Sequence, residues 1–233
     1  MSTEPRMVEV RRNVLKQNDI AARALRERFR EAGVSVVSVV SSPGSGKTAL
    51  FEQTLSLLRR THRVAALVGD LATENDAARL ARSQAPVKQI TTGTLCHLEA
   101  SMVVAALEEW DLHALDFLLV ENVGNLVCPS SFDLGESLRL VLISVTEGED
   151  KPLKYPTIFN SADVAVVTKM DLADAAEFDE PALLRNIQAV RPGMPVLKVS
   201  AKTGAGLGQF LALLISHHEQ LHPTGVSAAT QTL

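Results

Sequence analysis

The chain has 233 residues, 46% of them hydrophobic and 21% charged, enough apolar side chain for one α/β domain with a buried core and too much for a disordered chain. Lys and Arg number 23 against 27 Asp and Glu, a formal charge of −4, which weighs against a chain-wide grip on nucleic acid. Two cysteines exclude a disulfide-rich scaffold. No apolar run approaches the roughly 18–20 residues that span a bilayer, and Met1–Val10 lacks the apolar centre of a signal peptide. A soluble cytoplasmic protein is expected, with no membrane and no nucleic-acid partner.

Val8 to Ala32 spaces Val10, Val14, Leu15, Ala21, Ala22, Leu25 and Phe29 roughly as a helix does, and Gly33 stops it. Val34–Val40 is β-branched at most positions and predicts a buried strand. Thr48–Arg60 has helical composition, Arg63–Val68 is a second strand ending at Gly69-Asp70, and Asp76–Arg82 is a short helix. Val87–Thr91 is a strand, His97–Trp110 a helix without Gly or Pro, and Phe117–Val120 a strand. Leu138–Val145 and Asp163–Val167 are strands separated by a polar loop around Glu147–Lys154. Pro181–Val190 is a helix, Pro195–Val199 the last strand and Leu207–Leu221 the last helix. The alternation predicts a mostly parallel central sheet with helices on both faces, with ligands at the carboxyl ends of its strands. Residues 1–33 are expected to form a helix that covers the domain rather than docks a partner, 34–222 the domain itself, and 223–233 a flexible tail.

Ser41-Ser-Pro-Gly-Ser-Gly-Lys-Thr48 sits between a predicted strand and a predicted helix. A phosphate-binding P-loop reads Gly-x4-Gly-Lys-[Ser/Thr]; Gly46, Lys47 and Thr48 match, and Ser41 replaces the first Gly. Gly44, Ser45, Gly46 and Ala49 belong to the stretch whose amides and helix dipole face phosphate. Lys47 reaches the outer phosphates and Thr48 ligates Mg²⁺. Carboxylates for Mg²⁺ stand at strand ends: Asp70, preferred because it directly follows a strand; Asp76, which alternatively caps a helix; and Glu121.

Val167-Thr-Lys-Met-Asp171 ends another strand. GTP-binding proteins carry Asn-Lys-x-Asp here, the Asp accepting from guanine N1 and N2 while the Lys stem packs on the base. Lys169 and Asp171 are kept, and Thr168 replaces Asn. Ser200-Ala-Lys-Thr-Gly204 is similar to the second base-contacting loop of such proteins, giving Ser200, Ala201 and Lys202 to the nucleotide. Guanine is therefore favoured over adenine.

Cys96, His97 and Cys128 also lie just beyond strands, on the side expected for nucleotide. Two thiolates and an imidazole suit Zn²⁺ or Ni²⁺; free cysteines are as readily buried fillers, and spacing alone does not choose. Three ligands leave one coordination position open or shared with a second chain. His62, His113, His217, His218 and His222 read as surface residues.

Taken together, the P-loop, Gly69-Asp70 with Thr73 and Asp76-Ala77, Thr92–Leu98, Glu121–Pro129 and Val145–Pro156 resemble the HypB family of hydrogenase-maturation nickel GTPases, from Val14 to about Leu214. The resemblance implies a P-loop NTPase fold of the SIMIBI GTPase type, binding GTP or GDP with Mg²⁺, and a Ni²⁺ or Zn²⁺ site at Cys96, His97 and Cys128. It implies a GTP-linked homodimer that hands nickel to a [NiFe]-hydrogenase large subunit alongside the small chaperone HypA. It places Glu121–Gly124 where other GTPases have their Asp-x-x-Gly switch, so that Gly124 feels the γ-phosphate through its N–H, and it points Lys151–Tyr155 at nucleotide across the dimer. Lys47, Asp70 and Gly124 are then the residues expected to act in catalysis. Many family members carry a Cys-rich N-terminal nickel motif and some a His-rich stretch; the first cysteine here is Cys96, so nickel storage is not expected.

Turnover is expected to be slow, since no Gln is placed to orient water, and Arg79 reads as a surface residue. The related urease nickel GTPase is disfavoured, because its metal motif is Cys-Pro-His and Cys128-Pro129 here precedes Ser130. A P-loop kinase leaves Lys169-x-Asp171 unexplained, and a GTP switch without metal transfer would make both cysteines core residues.

Overall fold

The computed structural model describes residues 6–70 and 75–223, with side chains from residue 12 onward. Thr73 and the predicted tail beyond 223 lie outside the described residues.

The elements alternate as expected: α1 (Arg6–Ala32), β1 (Ser35–Ser41), α2 (Lys47–Leu58), β2 (Val64–Asp70), α3 (Asn75–Ala81), β3 (Val87–Thr91), α4 (Ala100–Ala106) and β4 (Phe117–Glu121). The second half of the chain adds β5 (Leu138–Ser144), α5 (Lys151–Lys154), α6 (Pro156–Ser161), β6 (Val164–Thr168), α7 (Glu180–Val190), β7 (Val196–Lys198) and α8 (Leu207–Leu221). The seven strands form one sheet in the order β3-β2-β4-β1-β5-β6-β7, every pairing parallel. Strand β1 is buried throughout and alternates its faces: Val37 and Val39 join Phe51, Leu55, Phe210 and Leu214 of α2 and α8, while Val36 joins Leu25 and Phe29 of α1 and Val103 of α4. A parallel sheet covered on both sides needs such runs of Val and Leu. On α1, Ala22, Leu25 and Phe29 fall on one stripe and are buried. Asn18 fastens that helix: its amide donates to Asp133 O at 2.8 Å and its Oδ1 accepts from Ala100 N at 2.8 Å.

Two expectations are corrected. The helix predicted from His97 begins only at Ala100, and Glu99 is extended at φ −111°, ψ 153°. The Leu98 N–H, which a helix would leave open in its first turn, is taken by Asn122 Oδ1 at 3.0 Å, and the buried Leu98 side chain packs so close to Gly69 that a Cβ there would stand 2.7 Å from it. Cys96 and His97 are therefore on a loop. The region read as a polar loop after β5 contains two short helices, α5 and α6, each with Pro at its start, a position proline favours.

Candidate nucleotide and metal site

Strands β1, β2, β4 and β6 all release their chains at the same sheet edge, and the site is assembled from the segments that leave them there. After β1 the loop turns into α2 through Gly46, at φ +93°, a conformation costly for any residue with a Cβ. Lys47 is buried and folds back over the loop, donating to Ser41 Oγ at 3.0 Å and Ser42 O at 3.4 Å. Burial pushes its pKa down, against the pull of Glu121, Asp76, Glu147 and Asp70. Ser41, in the place of the motif's first Gly, is thus a partner of the lysine.

A cavity of about 570 Å³ opens over this loop, lined by Lys47, Thr48, Ala49, Asp70, Asp76, Glu121 and Gly124 among others. Thr48 Oγ1 lies 2.9 Å from Asp76 Oδ1 and 2.8 Å from Glu121 Oε1. A hydroxyl has one hydrogen to give, so both contacts are satisfied together only when one carboxyl holds a proton of its own. Glu121 is suited to do so, since burial pushes its pKa up to about 7 despite nearby Lys47. Its second oxygen, Oε2, is buried without a partner. A hydroxyl and carboxylates around an orphaned acid oxygen are the hard donors that Mg²⁺ takes, so these residues fit that ion. Asp70, which sequence reasoning preferred, lines the same cavity, but Asp76 and Glu121 are the carboxyls on the threonine. Arg79, read from sequence as a surface group, lines this cavity too, its Nε donating to Glu52 Oε2 at 2.8 Å.

Next to this cavity lies a second, of about 230 Å³, bounded by Leu50, Thr168, Lys169, Asp171, Val199, Ala201 and Lys202 among others. Ser200 Oγ donates to Asp171 Oδ1 at 2.6 Å, and Lys202 Nζ stands 3.8 Å from Oδ2, so both base-loop segments meet at one carboxylate. Thr168 Oγ1 donates to Ser45 O at 2.6 Å, tying this loop to the phosphate loop.

Cys96, His97 and Cys128 meet on the other flank of the phosphate cavity, with their ligand atoms all within 4.8 Å of one another. Cys96 Sγ donates to Cys128 Sγ at 2.8 Å. His97 is buried against Phe132, ring centres 3.9 Å apart, and neither ring nitrogen has a hydrogen-bond partner. Burial holds its pKa below the ordinary value, partly offset by Glu99, whose Oε1 is 3.6 Å from Nε2. A neutral imidazole with unused nitrogens beside two thiols fits a borderline-soft ion such as Zn²⁺ or Ni²⁺. Ser130, which follows Cys128-Pro129, turns its hydroxyl onto Val127 O at 2.7 Å.

Sequence reasoning missed the residue that joins the two centres. Asn122 is buried, and its Oδ1 accepts from both Leu98 N, at 3.0 Å, and Val123 N, at 2.9 Å. It follows Glu121 directly and holds the loop that carries Cys96 and His97. Two residues on, Gly124 lies against the phosphate loop; a Cβ there would stand 2.9 Å from Pro43 Cα. Lys151 Nζ donates to Ser42 Oγ of that loop at 3.3 Å and lines one cavity with Gly124. An Asn directly after a strand-end acid was the one available signal for Asn122.

Residues 35–198 match the family model "CobW/HypB/UreG, nucleotide-binding domain". The hydrogenase maturation factor HypB of Azotobacter chroococcum is 45% identical over 212 residues, 90% of this chain and 69% of that protein. This chain belongs to the HypB family of hydrogenase maturation factors. Another family member, the hydrogenase/urease maturation factor HypB of Helicobacter pylori, is 40% identical over 89% of this chain and 87% of its own length. The crystal structure of Helicobacter pylori HypB in complex with nickel superposes with a TM-score of 0.83 at 38% identity, covering 93% of this chain and all of that one. The expected fold class, a P-loop nucleotide-binding domain on a parallel sheet, holds. Among the described residues no helix is long and apolar enough to cross a membrane.

Proposed function

We propose that this chain is a GTP-hydrolysing metallochaperone that delivers nickel to a [NiFe]-hydrogenase large subunit, as a homodimer formed with GTP and metal and assisted by a small nickel chaperone of the HypA kind. The single observation that carries the proposal is the short covalent and hydrogen-bonded path from Thr48 through Glu121 and Asn122 to Leu98 N, one residue from His97. A change at the phosphates has few bonds to cross before it reaches a metal ligand.

In this reading Asp171 accepts from the guanine edge, Ser200, Ala201 and Lys202 border the base, and Lys169 packs along it. Lys47 leaves Ser41 and Ser42 for the outer phosphates, and the amides of Gly44 through Ala49 turn toward them. Thr48, Asp76, Glu121 and Asp70 hold Mg²⁺, which when bound supplies positive charge where the phosphoryl group transfers. Gly124 N–H donates to the γ-phosphate and is drawn onto the loop it already touches at Pro43. That pull acts on Cys128, four residues on, and through Asn122 on Cys96 and His97, so the two halves of the thiolate–imidazole site move with the nucleotide. Hydrolysis releases the pull, and slow turnover is expected, since no Gln lines the phosphate cavity among the described residues to orient the attacking water.

The test is to titrate apo-protein with Ni²⁺ in GDP and then in a non-hydrolysable GTP analogue, following thiolate-to-metal absorption and molecular mass together. A band that disappears in Cys96→Ala and Cys128→Ala and changes with nucleotide as the dimer forms supports the proposal. Absence of metal binding in every nucleotide state overturns it, leaving a GTP switch with two packing cysteines.

A further inference from the structure

The sequence reading left five histidines on the surface, yet four of them are partly buried, and three gather at the amino-terminal end of the sheet, opposite the nucleotide. His218 and His222 are one turn apart on α8 and just past its end, ring centres 5.0 Å apart. His62, from the turn after α2, lies 6.2 Å from His218, and both rings pack on Phe117. With metal–nitrogen bonds of about 2.0–2.1 Å, the centres of two imidazoles sharing one ion stand roughly 5–6 Å apart. Each ring also keeps a nitrogen that an ion could take. His218 Nδ1 lies 2.8 Å from Ser35 Oγ and His62 Nδ1 lies 2.8 Å from Thr61 Oγ1, which occupies one nitrogen of each ring and leaves Nε2 for an ion. His222 Nε2 is buried with no partner.

Arg63 is paired with Asp116 at 2.6 Å, so it presents no uncompensated positive charge, and Glu219 acts attractively on His218. Burial, with smaller contributions from His222 and His62, keeps His218 below its ordinary pKa and so in the neutral, ligating form.

We propose that His218 and His222, with His62 as third ligand, form a second binding site for a divalent d-block cation, independent of Cys96, His97 and Cys128. Among the described residues the cysteine group is the one whose ligand atoms already lie within 4.8 Å, so the imidazole site is an i,i+4 chelate closed by ring rotation, with water in its remaining positions. It is the weaker of the two and owes nothing to thiolate chemistry. Because it joins α8 to the turn before β2, the bound ion cross-links the last helix to the sheet.

The test uses the full chain with Cys96→Ala and Cys128→Ala combined, titrated with Ni²⁺ by calorimetry and native mass spectrometry. One ion per chain is expected to remain, with a rise in melting temperature. Adding His222→Ala or His222→Gln is expected to weaken that binding at least about tenfold and to abolish the rise, His62→Ala to weaken it less, and His113→Ala to change nothing. Circular dichroism of each variant without metal establishes that it is folded. No residual ion in the double cysteine variant, or residual binding indifferent to both His222 substitutions, overturns the proposal.

Discussion

Replacing Glu121 by Gln should make the nucleotide-free protein more stable while disabling it. Burial raises the Glu121 pKa from an ordinary 4.5 to about 7. Between those values the folded chain holds a proton that the unfolded chain has released, so stability falls as pH rises through that window and levels off above it. The difference, 7 − 4.5 = 2.5 units, at about 1.36 kcal/mol per unit corresponds to about 3 kcal/mol at pH 8. Gln keeps the acceptor for Thr48 and never ionises. Glu121→Gln should therefore match the parent near pH 4.5 and exceed it by about 3 kcal/mol at pH 8. Urea unfolding at several pH values, in chelator and without nucleotide, measures this. With Mg²⁺ and GTP the ordering should reverse, because the carboxylate is then paired with a cation. A variant that keeps the parent's pH slope, or is less stable than the parent at pH 8 in chelator, would refute the assignment of Glu121 as a strained acid awaiting Mg²⁺.

Asn122→Ala strips the acceptor from two amides, at about 1–3 kcal/mol each; equilibrium unfolding should show the loss, and Ni²⁺ affinity should cease to depend on nucleotide. Gly124→Ala forces a Cβ against Pro43 and should slow GTP hydrolysis in single-turnover assays far more than it weakens GDP binding. If Asp171 accepts from a guanine edge as proposed, Asp171→Asn turns one acceptor into a donor there, and competition binding should show a preference for GTP over ATP in the parent that falls by about two orders of magnitude or more in the variant. Thr168→Val removes the tie to Ser45 O and should cost about 1 kcal/mol of stability, with looser binding of GDP measured by fluorescence titration.

The sheet was legible because its strands are short runs of Val, Leu and Ile separated by phosphate-loop and turn signals, and parallel strands carry that pattern plainly. That the Ser41–Thr48 loop, the Thr168–Asp171 loop and the cluster of Cys96, His97 and Cys128 gather at one end of the sheet was legible because each hangs at a strand end. Less legible was anything decided by a contact distant in sequence. The late start of α4 depends on Asn122 capturing Leu98 N, 24 residues away. The contacts of Asp76 and Glu121 with Thr48 depend on where α3 and β4 bring them, which strand-end position alone does not give. The inward packing of His62, His217 and His218 depends on α8 lying along the sheet, where Phe117, Ser35 and Ser137 receive them.

Cys128 follows β4, an interior strand of the sheet, whereas Cys96 and His97 follow β3, one of its two edge strands. An ion held between them is a staple from the margin of the domain to its interior. Edge strands are ordinarily the first to open, and their amides the first to exchange with solvent. Amides of β3 and of the 92–98 loop should therefore exchange more slowly when the site is filled, and surrender of the ion should be accompanied by fraying at that margin. In the proposed delivery role, release of the ion and local melting of the sheet edge would be one event, giving an accepting protein a yielding border to work against in place of a rigid cage.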